Sequence, residues 1–172
     1  MPQLVALSLS IGVLGAIWAF LALGPLAGFV LVWAGFIAWG CFFHSGGDDK
    51  ALAKTIVGTA YGAFVAWIAL LIISHVQIAA LGPVWPAIVV GVTVFFLVIV
   101  ASVDQLSVVP ANVYGYAALV AYSLHQANAL DNLGSVSFAN PLILLIVSMV
   151  IGAIFGYLSG KLAKALTKPS AA

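Results

Sequence analysis

The residues of this chain that could do chemistry are few, and the densest group is the stretch VVPANVYGYAALVAY, residues 108–122. It puts Pro110, Asn112, Tyr114, Tyr116 and Tyr122 into an otherwise apolar run. A proline inside a helix frees the carbonyl one turn earlier. An asparagine adds an amide that lipid penalises, so it must face protein or water. Together they offer a carbonyl and an amide to a small polar solute. The competing reading starts the helix at Ser107. Pro110 and Asn112 then sit in a first turn near the membrane surface. The tyrosines become interfacial belt aromatics or interhelical hydrogen-bonders.

A second aromatic stretch, WAGFIAWGCFFHSGG, places Trp39 and Phe43 beside His44. It reads either as an aromatic constriction with a histidine at its mouth or as an aromatic belt. His44, His75 and His125 all fall at the ends of apolar runs, as wetted interface residues or as pH-tuning groups. Asp104 is a cation seat at a pore mouth or a helix-end residue in water. The single cysteine, Cys41, reads as a small core residue. One Cys and three scattered His give no metal-ligand spacing. No Ser–His–acid set occurs, and SGGDDK lacks the strand and helix that flank a phosphate loop. No catalytic residue, cofactor or metal is expected, and the chain is not read as an enzyme.

The elements that must position these residues are membrane helices. Of 172 residues, 65% are hydrophobic and 5% are charged, against about a quarter charged in soluble domains. The mean hydropathy is +1.28. Arg and Glu are absent, and the five Lys and four Asp lie between or at the edges of the apolar runs. With no basic patch, nucleic acid is not a partner; the lipid bilayer is. Six runs approach the ~20 residues a span needs, at about 4–23, 25–43, 53–74, 84–102, 107–124 and 140–160. The expected fold is all-α, one transmembrane domain over 1–172. Pro25 is expected to open the second helix. Pro83 and Pro86 separate the third run from the fourth, and Asn140-Pro141 is a cap-and-start pair for the sixth. Lys50 and Lys54 follow span two, and Lys161, Lys164 and Lys168 follow span six. Six crossings put both groups on one side, with both termini cytoplasmic.

Small residues mark helix contacts. Gly58 and Gly62 are four apart in span three, and Gly152, Gly156 and Gly160 repeat that spacing in span six. They read as packing within the bundle or as an oligomer interface, a dimer or trimer with one pore per chain. IVGTAYGAFVAW (56–67) and IVSMVIGAIFGY (146–157) resemble each other; Gly12 pairs with Gly91 and Pro25 with Pro110. Three spans per half would make two inverted repeats, a common plan for small transporters. The interior of the runs holds no ionisable acid or base, which argues against ion coupling. What remains is passive passage of small neutral polar solutes, with Asn112→Leu as its test, or a non-conducting structural or interaction protein.

The order from apolar hairpin through WAGFIAWGCFFHSGG to VVPANVYGYAALVAY and a glycine-striped last span resembles the YcdZ-like bacterial membrane family, catalogued as a domain of unknown function. The resemblance covers nearly the whole chain. It implies a bacterial inner-membrane location and a compact multi-span bundle, and no activity.

Overall fold

The computed structural model describes residues 1–167; Lys168, one of the orienting lysines, lies outside them. Six helices follow in order: α1 Gln3–Leu23, α2 Val32–His44, α3 Asp49–His75, α4 Val84–Ile99, α5 Val109–His125 and α6 Pro141–Leu166. Among the described residues there is no β-strand, only an isolated bridge between Ala27 and Val30. Gln3–Leu23, Asp49–His75, Val84–Ser102 and Pro141–Leu166 are each long and apolar enough to cross a membrane. The chain is an α-helical membrane protein.

Two of the expected spans are shorter than the apolar runs suggested. α2 has 13 residues, about 20 Å at 1.5 Å per residue, and α5 has 17, about 26 Å, against a hydrocarbon core of ~30 Å. Pro25 does not open α2. It sits in a turn that follows Gly24, and Gly28 takes a left-handed φ of 85° that side chains resist. The helix begins at Val32, where the Leu31 N–H donates to Ser148 Oγ at 2.8 Å and Trp18 Nε1 donates to the Val32 carbonyl at 2.9 Å. Non-helical backbone close to lipid needs such partners. At the start of α4, Pro83 is the N-cap and Pro86 falls in the first turn. Asn140 caps α6, its Oδ1 accepting from Leu142 N at 2.9 Å, with Pro141 opening the helix.

α3 and α6 form the centre. α5 packs along α3 and α2 along α6, while α4 and α1 flank the outer sides of α3 and α6. Burial follows this plan: 44% of the most apolar window is buried in α3 and in α6, against 17% in α1 and in the α4 span. Glycine permits the two closest crossings. A Cβ on Gly62 would strike the Asn112 carbonyl, one on Gly115 the Thr59 carbonyl, and one on Gly152 the Gly35 carbonyl. Gly58 lies against Ala111 and Asn112, Gly156 meets Trp39 and Phe42, and Gly160 is in ordinary contact with Phe42 and Phe43.

Successive helices alternate in direction. One end of the bundle holds the starts of α1, α3 and α5 and the ends of α2, α4 and α6. There the Met1 amine donates to the Leu166 carbonyl at 3.2 Å. Lys54 pairs with Asp104 at 2.8 Å and Lys161 with Asp49 at 3.4 Å. The opposite end is closed by the 126–139 segment, which buries Ala129 and Leu133. It is tied down by Trp67 Nε1 to the Leu133 carbonyl at 2.8 Å and by Asn140 Nδ2 to the carbonyls of Leu133 and Ser135 at 2.9 and 2.7 Å.

Candidate functional site: the seam between α2 and α5

The eight residues singled out from the sequence divide between two sides of α2 and α5. Pro110 falls in the first turn of α5, where no helical hydrogen bond is lost. Asn112 is fully buried on the side of α5 toward α3 and α4. Its Nδ2 donates to the Leu97 carbonyl at 3.2 Å and the Leu106 carbonyl at 3.1 Å. It thereby ties the irregular 100–108 connector to both helices that the connector joins. Its Oδ1 has no hydrogen-bond partner and rests over Gly58. Tyr116 turns the same way, its hydroxyl 3.0 Å from Thr93 Oγ1. Trp39 points into the α1–α6 side, donating through Nε1 to Ser159 Oγ at 3.0 Å, and Phe43 packs edge-on against Phe42.

Tyr114, Tyr122 and His44 lie instead on the seam where α2 and α5 face outward. A groove of about 710 Å³ runs there between Trp33, Phe36, Ile37, Gly40 and Cys41 of α2 and Tyr114, Ala117, Ala118 and Ala121 of α5. Trp33 and Ala121 also border a second hollow of about 370 Å³, lined further by Leu31, Tyr122, His125 and Gln126. The walls are apolar and the polar groups stand at the two ends. At the lysine-bearing end the Tyr114 hydroxyl is 3.2 Å from His44 Nδ1. At the other end, Trp33 and Tyr122 form a tilted ring pair 6.5 Å apart, next to His125 and Gln126.

The chain matches the family described as "Protein of unknown function (DUF1097)" over residues 8–164. It belongs to that family. The matched region takes in α2 to α5 whole and most of α1 and α6, so the seam and its supports are parts of the DUF1097 region. Neither a curated protein nor a solved structure matches the chain.

Sequence reasoning on this DUF1097 chain missed Gly40, Ala117, Ala118 and Ala121, the small residues that make the groove. The available signal was their helical spacing: 117, 118 and 121 share one face of a helix. That spacing was overshadowed by the more polar Asn112. Chemically, the groove can hold an uncharged body between aromatic walls and offer hydroxyl, imidazole and amide groups at its ends. Among the described residues, no group of three His, Cys, Asp or Glu could hold a metal ion.

Proposed function

We propose that this DUF1097 chain is a passive facilitator for small neutral solutes in the bacterial inner membrane, and that the solute follows the α2–α5 seam. The observation that carries the reading is the pair of hollows along the α2–α5 seam, bordered in common by Trp33 and Ala121, with no Asp, Glu, Lys or Arg in the lining of either. A neutral solute meets no charge to trap it and finds polar partners where it enters and leaves.

Two inverted halves support the same reading. Set in register from their first residues, Ala34, Gly35, Ala38, Trp39, Cys41 and Phe42 of α2 align with Ala111, Asn112, Gly115, Tyr116, Ala118 and Leu119 of α5, and all twelve are buried. Gly62 and Gly152, aligned through the 56–67 and 146–157 stretches, each receive a carbonyl from that pair: Asn112 in one half, Gly35 in the other. In this register Pro110 aligns with Trp33 rather than with Pro25. The symmetry relates α2 to α5, so its axis passes through the seam, where transporters of this plan carry their sites.

The test is light scattering from proteoliposomes after osmotic jumps with water, glycerol, urea and acetamide. One solute should relax faster than in empty vesicles, and Gly40→Trp should remove the gain, because a side chain at 40 has open space to fill the groove. Asn112→Leu is a poor variant for this purpose, since Asn112 holds the connector. A second reading, a non-conducting interaction protein, draws on the seam's open lipid-facing side. No acceleration for any solute would select it.

A further inference from the structure

A hollow of about 110 Å³ opens at the lysine-bearing end, between the start of α3 and the last turns of α6. Asp48 and Asp49 stand on its α3 side and Lys161 and Lys164 on its α6 side. The half-buried Tyr157 and Gly160 lie one turn nearer the midplane than the two lysines. We propose that this hollow binds the headgroup of a zwitterionic lipid whose phosphate is joined to a primary ammonium, the phosphoethanolamine type. The ammonium meets Asp48 and Asp49, and the phosphate meets Lys161 and Lys164. The volume is room for about three or four waters at ~30 Å³ each, the scale of a phosphate with a short amine. The hollow shares no residue with the α2–α5 seam and does not depend on the facilitator reading.

The charges in the hollow are only partly used by the fold. Lys161 lies 3.4 Å from Asp49 and over the Tyr157 ring at 5.0 Å. Both members of that ion pair are more than half exposed, at 54% and 77%, and such a pair contributes little by itself. Asp48 accepts from the Ala51 N–H through Oδ1 at 2.7 Å. Among the described residues Lys164 enters no ion pair. The charge of the ligand follows from the two walls. A lone anion at the lysines would sit against two carboxylates, and a lone cation at the carboxylates would sit against two amines. A molecule carrying both charges a short distance apart suits both walls. A primary ammonium can donate three hydrogen bonds to the carboxylates. A quaternary ammonium needs aromatic faces, and Lys161 already lies over Tyr157, the aromatic ring in the lining. That the ligand is a lipid follows from position. α6 reaches the membrane boundary here, and lysines at a helix end meet lipid phosphates. Leu158 and Ile154, about one and two turns from Lys161 toward the midplane, are exposed. Acyl chains joined to the headgroup therefore have an apolar strip to lie along.

Native mass spectrometry of the detergent-purified chain, titrated with single lipids of identical acyl chains, tests this. Phosphatidylethanolamine should bind about tenfold more tightly than phosphatidylcholine or phosphatidylglycerol. Lys164→Gln and Asp48→Asn should each weaken phosphatidylethanolamine about tenfold, the loss of one charge-assisted hydrogen bond. Both side chains are exposed, and asparagine caps a helix as well as aspartate does, so the fold is kept. Lys50→Gln, near the start of α3 but outside the lining, should bind as the wild type does. Phosphatidylcholine binding as tightly as phosphatidylethanolamine, or phosphatidylglycerol binding more tightly, overturns the primary-ammonium zwitterion. Unchanged affinity in Lys164→Gln and Asp48→Asn, or an equal loss in Lys50→Gln, overturns the site. Displacement of the lipid by soluble phosphoethanolamine at equal concentration would reveal a free ligand of the same chemistry and overturn the lipid as its source.

Discussion

A leucine at position 112 would keep the size of Asn112 and lose both donated hydrogen bonds, to the buried Leu97 carbonyl and the half-buried Leu106 carbonyl. Stranding such groups costs about 1–3 kcal/mol. Asn112→Leu should therefore lower the thermal midpoint in detergent by several degrees, and Asn112→Ser, which keeps one donor but not the reach, should lower it as well. An unchanged midpoint in both variants would show that the connector is held without Asn112. At Gly62 the expectation is harsher. Even alanine puts a Cβ into the Asn112 carbonyl, and helix backbones are slow to give way, so Gly62→Ala should abolish the monodisperse peak on gel filtration. Gly12→Ala, on an open face, should leave it intact. The sequence made Asn112 and Gly62 stand out, the first as a polar group lipid would reject and the second as part of a spaced pair. It did not reveal that they meet, because their contact joins helices separated by α4 and two connectors.

At the scale of elements, the long helices were legible from run length alone, since apolar stretches bounded by Gly, Pro and Asp leave little choice of ends. The start of α2 was not. Residues 25–31 are as apolar as the helix that follows, and what excludes them is the left-handed Gly28 and the distant Ser148 that receives the Leu31 N–H. The connector 100–108 likewise reads as a gap between runs, yet it is pinned from outside by Lys54, which reaches Asp104 at 2.8 Å and Ser107 at 3.0 Å. Donation by Lys54, and then its charge, holds the Asp104 carboxyl below its usual range. A depressed carboxyl contributes stability that is complete above its unfolded value, near pH 3.9, and is lost as pH falls through the lower folded value. The carboxyl is exposed, so the contribution is small and screened by salt. Limited proteolysis of the connector should accelerate on acidification below about pH 4. Asp104→Asn should be cut faster at neutral pH and lose that acid dependence. An identical pH profile in wild type and variant would remove the Lys54–Asp104 pair as the latch.

For the whole molecule, the arrangement of charge predicts how it stands in the membrane. Lys50, Lys54, Lys161 and Lys164 gather at one end of the bundle, with Asp48, Asp49 and Asp104 among them, while Asp131 lies in the segment that closes the other. Lysines near helix ends are retained on the cytoplasmic side, whereas acids contribute little to orientation. The Met1 amine lies 3.2 Å from the Leu166 carbonyl, so the start of α1 and the end of α6 share the lysine side whichever way the bundle inserts. Single cysteines at Ala165 and at Gly134, both exposed, in a Cys41→Ser background, should label with opposite preference in intact cells. A membrane-impermeant maleimide should reach Gly134→Cys at once and Ala165→Cys only after the membrane is opened. The reverse order would invert the molecule, and equal labelling of both would mean that it inserts in two orientations.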